Sequence, residues 1–185
     1  MRLILTMLST ALLVEPSSAQ SLQRVSLQGS GALVFPTAAE TDFRNSTRLG
    51  WEGQVRYTFS RFSLGAGYQL ATVYRFETGD FRAAMSVVFA EPRYVAAASA
   101  RVAVYFAGRA GAGRLECSPP TDCAEQRFQP VYGAGGGLLV RLSRRLNADL
   151  GTQYFSAAYQ LANPPGATAR TGYVLARLGV GLGLF

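Results

Sequence analysis

Apolar and polar residues alternate along most of this chain with a period of two, and small or polar turn residues interrupt the alternation at intervals. A period of two sends successive side chains to opposite faces of an extended backbone, so each such segment predicts a β-strand with one apolar face. In the first, Val25, Leu27, Leu33 and Phe35 oppose Ser26, Gln28 and Ser30; in the second, Trp51, Val55, Tyr57 and Phe59 oppose Glu52, Gln54 and Arg56. Phe62, Leu64, Tyr68 and Leu70 then oppose Ser63, Gly65 and Gln69. A fourth segment, residues 82–96, sets Val88, Ala90, Pro92 and Tyr94 against Phe89, Glu91 and Arg93, and its proline predicts a bulge or a missing ladder bond. Val102, Val104 and Phe106 face away from Tyr105 and Arg109, and Tyr132, Leu138 and Val140 face away from Gly133, Gly135, Gly137 and Arg141. Leu146, Leu150 and Tyr154 oppose Asn147, Asp149 and Gln153, and Val174, Leu178, Val180 and Leu182 oppose Arg177, Gly179 and Gly181.

Between these eight segments, short turns at Ser60-Arg61, near Ala97–Ala100 and at Ser143-Arg144 alternate with long polar links over residues 36–47, 72–81, 113–126 and 156–170. Two residues between strands make a tight hairpin. An even number of strands joined in this way predicts an all-β, eight-stranded antiparallel up-and-down barrel.

The charges choose the solvent. Glu52, Arg56, Glu91, Arg93, Arg109, Arg141, Asp149 and Arg177 lie on the less apolar face, interleaved with glycine. Glycine on an inner face makes room for long side chains in a narrow lumen, so the pattern reads as polar inward and apolar outward, the transmembrane arrangement. Aromatic residues of the apolar face cluster at two heights: Phe35, Trp51, Tyr68, Tyr132 and Tyr154 toward the long links, Phe59, Phe62 and Tyr94 toward the short turns. Two aromatic girdles are expected of a membrane barrel. The inward carboxylates Glu52, Glu91 and Asp149 are expected to pair with the inward arginines and close the lumen, since an unpaired buried carboxylate costs several kcal/mol. A surplus of inward arginine keeps a small anion-leaning pore as an alternative, and a soluble exported lipocalin-like binding barrel is a further one, since eight strands close in both solvents.

Residues 1–19 have the form of a secretory leader, with Arg2, the apolar run Leu3–Val14 and the small residues Ser17-Ser18-Ala19 before Gln20, leaving residues 20–185 as one barrel domain. No later stretch of about 18 apolar residues exists to make a spanning helix. Export allows Cys117 and Cys123 to form a disulfide around Ser-Pro-Pro-Thr-Asp. Composition then removes most chemistry. The chain has no histidine and no lysine; all 18 basic residues are arginine. Histidine-activated nucleophiles, histidine-ligated metals, a phosphate-loop lysine and Schiff bases are all excluded, so no enzyme activity, catalytic residue, metal or cofactor is expected. A net charge of +7 could mark nucleic-acid binding, but many of these charges alternate inward along strands, and no nucleic acid is expected as partner. The glycine-rich runs 133–137 and 179–183 do not fit a phosphate-binding spacing.

Taken together, the leader, the eight alternating strands, the Ser-Arg turns and a last strand ending in Phe185 resemble the small outer-membrane β-barrel proteins of Gram-negative bacteria, of the OmpA and OmpX type. The resemblance covers the whole mature chain. It implies a monomer in the bacterial outer membrane, in contact with outer-membrane lipids and lipopolysaccharide, with a non-enzymatic structural or surface-interaction role. It also implies that Phe185 is read by the barrel-assembly machinery. Counting back by twos from Phe185 reaches Gly183, Gly181 and Gly179, so either a bulge near Gly183 resets the register or Phe185 points inward. Arg44, Arg48, Arg75, Arg82, Arg114 and Arg170, in or beside the long links, stand where lipopolysaccharide headgroups or plain water would meet them.

Overall fold

The computed structural model describes residues 24–37, 48–75, 82–118, 127–160 and 168–184. The leader, Cys123 and Phe185 lie outside these, and of Cys117 only the backbone is described. Eight strands follow in order: β1 (Val25–Pro36), β2 (Arg48–Phe59), β3 (Phe62–Arg75), β4 (Arg82–Ala98), β5 (Val102–Ser118), β6 (Gln129–Arg141), β7 (Leu146–Gln160) and β8 (Thr168–Gly183). Each pairs antiparallel with the next, and β8 returns to β1 from Ser26↔Gly183 to Pro36↔Tyr173, closing the barrel. Closure leaves no strand edge unpaired.

The strands run further than the alternation alone suggested. β4 and β5 have 17 residues each, about 40 Å along the axis at a tilt of about 45°. An apolar band of about 25 Å needs only part of that length. The long-link ends of the strands therefore continue past the band, and the link between β3 and β4 shrinks to residues 76–81. Pro92 produces no bulge. Pairing with β3 stays continuous at Leu64↔Pro92, while the β4–β5 pairing skips Glu91 and Pro92 without changing register. The bulges fall instead at Val95/Ala97 and Thr72/Tyr74. Nor does β8 bulge near Gly183: its register with β1 is unbroken through that residue.

Outward side chains are apolar and exposed, among them Leu49 at 74% and Leu178 at 66%. All eight aromatic residues expected in the girdles point outward. Trp51 and Tyr68 lie with ring centroids 5.7 Å apart toward the long links; Phe59, Phe62 and Tyr94 form a run at 6.1 and 5.0 Å by the short turns. Tyr57 and Phe106 extend this second group, Phe106 directly across from Tyr94.

Candidate functional site: the lumen

Inward parity brings one carboxylate from β4 to the centre of the barrel. Glu91 is fully buried and its two oxygens accept from Arg56 Nη2 (2.7 Å), Arg93 Nε (2.7 Å), Arg109 Nε (2.9 Å) and Nη2, Arg177 Nη1 (3.0 Å) and Gln153 Nε2 (2.9 Å). Glu52 accepts from Arg109 Nη1 (2.9 Å) and Arg177 Nη1 (3.0 Å), bridging β2 to β5 and β8. Asp149 accepts from Tyr105 Oη (2.7 Å) and pairs with Arg93 Nη1 (2.8 Å). A guanidinium offers five donors in a planar fork, so one arginine can hold two carboxylates at once, as Arg109 and Arg177 both do. Strands far apart in sequence are joined by these contacts across the lumen.

Seven of the eight residues anticipated for the lumen network meet in this hub. Arg141, on the same inward parity, stands partly exposed at the short-turn rim. Several members carried no charge to mark them: Gln69 accepts from Arg109 (2.8 Å), Gln54 and Ser63 accept from Arg56 (2.9 Å each), and Tyr105 accepts from Arg177 (3.0 Å). Their inward parity was the available signal. The space made by glycine serves these partners as much as the arginines. On the paired residues Gly137 and Gly151, an added Cβ would stand 2.6 and 2.5 Å from Tyr105 Oη.

Above the hub, toward the long links, the lumen is apolar. Val34, Ala71, Met85, Val87, Phe89, Val131, Phe155, Ala157, Tyr173 and Leu175 pack together, with Phe155 and Tyr173 stacked at 5.1 Å. Arg109 joins the layers, its guanidinium carbon 3.7 Å from the Phe89 ring centroid. Below the hub a cavity of about 20 Å³ lies among Ser26, Gln28, Arg56, Ser63, Arg93 and Asn147, about the room one water occupies. Among the described residues no cluster of acidic or sulfur side chains could hold a metal. Arg48 faces inward and is buried, so it does not belong with the loop arginines; Arg114 is half exposed and pairs with Glu116 at 3.0 Å.

A closed eight-stranded meander with an apolar outer face and a charged, filled lumen finds its counterparts among solved membrane proteins. Neisserial surface protein A superposes with a TM-score of 0.69 at 12% identity, covering 86% of this chain and 97% of its own. This is the fold of the small outer-membrane β-barrels. Ail, the attachment invasion locus protein of Yersinia pestis, matches the barrel with a TM-score of 0.57 at 17% identity over 86% of this chain and 97% of its own. It has also been solved with the heparin analogue sucrose octasulfate, with a TM-score of 0.51 at 17% identity over 85% and 95%. Outer membrane protein H of P. aeruginosa matches with a TM-score of 0.57 at 12% identity over 86% and 98%. No protein-family model and no curated protein sequence matches the chain.

Proposed function

We propose that this protein is an exported, monomeric outer-membrane barrel with a structural or surface-interaction role, its lumen closed by arginine–carboxylate pairs. The observation that carries this reading is the contrast between the two faces: Glu91 with four arginines buried inside, and leucine, valine and aromatic side chains exposed outside. A water-soluble barrel would bury the second set. Short turns face the periplasm in such barrels, which puts the long links outside the cell. There the half-exposed Arg114 and the link arginines of the sequence meet lipopolysaccharide, and the polyanion bound to Ail is a chemical precedent on a similar fold. One observation favours a second reading, a small anion-selective pore: the hub sets four guanidiniums, of Arg56, Arg93, Arg109 and Arg177, against three carboxylates.

Fractionation of expressing cells tests the location. The protein is expected in the outer-membrane fraction, migrating differently on gels before and after boiling, and a tag inserted near Pro164 is expected to label on intact cells. Recovery in the soluble periplasm overturns the assignment; an unlabelled tag in folded, membrane-bound protein reverses the orientation.

A further inference from the structure

Two of the short turns are built alike. Ser99 Oγ accepts from the backbone N–H of Val102 (3.1 Å), and Ser143 Oγ accepts from those of Arg145 (3.2 Å) and Leu146 (3.1 Å). A serine that closes the turn on itself leaves the following residues to project from the barrel end. Those residues include the arginines Arg101, Arg144 and Arg145, joined at the same rim by Arg61 of the β2–β3 turn and by Arg24 at the start of β1. None of the five makes an ion pair among the described residues, and no Asp or Glu accompanies them at this rim. Outside the leader, every other carboxylate side chain of the sequence belongs to the lumen hub, to the long-link end of β5 (Glu116) or to the stretches joining strand ends at the opposite rim. Among the described side chains, the charges at this end of the barrel are thus all cationic.

These cations sit where the apolar belt stops. Between the β4–β5 and β6–β7 turns an open recess of about 660 Å³ is lined by Arg101, Arg141 and Arg144, with Ser143 and the outward residues Val140 and Leu142 beside them. Leu142 is 57% exposed, and the girdle residues Phe59 and Phe62 lie at the same end. An occupant must offer an anion at the rim and an apolar body along the wall. Free phosphate offers only the first, whereas the phosphodiester headgroup of an anionic phospholipid, with its acyl chains against Val140 and Leu142, offers both.

We propose that this recess binds the phosphodiester headgroup of an anionic membrane phospholipid between Arg101 and Arg144. The site rests on the membrane placement argued above but requires neither a role nor a pore. It anchors the short-turn end of the barrel in the leaflet that surrounds it.

The test uses the refolded full-length mature chain in vesicles of phosphatidylcholine mixed with phosphatidylglycerol, and reads the immobilised fraction of each spin-labelled lipid. Phosphatidylglycerol is expected to be preferred by about fivefold for each guanidinium engaged. The R101Q/R144Q double variant is expected to lose that preference, Arg61→Gln on the same rim to keep most of it, and the double lysine variant to restore part. Soluble glycerol phosphate is expected not to compete. A chain that inserts and shows no preference, or one unchanged in R101Q/R144Q, overturns the recess while leaving the membrane reading intact; a chain that fails to insert overturns both. Displacement by glycerol phosphate, or co-sedimentation with peptidoglycan that depends on the same two arginines, assigns the recess to a different anion and also overturns the proposal.

Discussion

Glu91 receives donors from four arginines of four strands. Its removal leaves Arg56, Arg93, Arg109 and Arg177 facing one another beside a cavity with room for about one water. Breaking a buried pair by deleting one partner costs about 3–5 kcal/mol, because the charge left behind is neither hydrated nor paired. Glu91→Ala is therefore expected to lower the free energy of unfolding, measured by urea titration in detergent micelles, by about that amount. Tyr105→Phe removes only the hydroxyl that bridges Asp149 and Arg177, and is expected to cost about 1–3 kcal/mol. Equal losses for the two variants would mean that charge repulsion in the hub is relieved by rearrangement.

At the scale of elements, the hairpin between β2 and β3 turns on two residues, Ser60 and Arg61, with Phe59 and Phe62 paired and stacked across its base. Ser60 has φ 54°, a left-handed conformation that a side chain disfavours by about 1–2 kcal/mol and glycine adopts freely. Ser60→Gly is expected to stabilise the barrel by about 1 kcal/mol in the same titration, and Ser60→Val to destabilise it. A lower midpoint for the glycine variant would place the constraint elsewhere. This turn was legible in the sequence, as were all eight strands, because lipid outside and a crowded lumen inside impose opposite polarity on alternate positions. Legibility ended where one of those solvents did. Beyond the belt, at Thr72–Arg75 and Leu115–Ser118, no lipid demands an apolar face and the alternation lapses, so strand ends read as loop. In the upper lumen Val34, Val87 and Leu175 are as apolar as their outward neighbours, and the same erasure of contrast hid the apolar layer. Arg48 sits at one of those limits and turns inward, where the sequence had grouped it with the link arginines; Arg141 sits at the other.

For the whole molecule, an eight-stranded barrel has an interior that side chains can fill, and this one fills it twice. An ion entering from the long-link side meets the apolar layer around Phe155 and Tyr173, where there is nothing to replace its hydration shell. Beyond that layer Arg109, Arg177 and Glu91 span the lumen from three strands, and a moving ion would have to part buried bonds of 2.9–3.0 Å between charged groups. The two barriers stand in series, so removing one leaves the other. In planar bilayers the wild-type protein is expected to carry no steady current, and so are Glu91→Ala, which opens the hub alone, and the F155A/Y173A double variant, which opens the apolar layer alone. Combining the three substitutions is expected to produce conductance, with anion selectivity, because the arginines released from Glu91 then line a hydrated path. The gel mobility shift on boiling must show each variant folded. Steady anion-selective current in the wild type, unaltered by Glu52→Ala or Asp149→Ala, would put the pore ahead of the closed barrel, since it would mean that ions bypass both layers without disturbing the pairs that hold them.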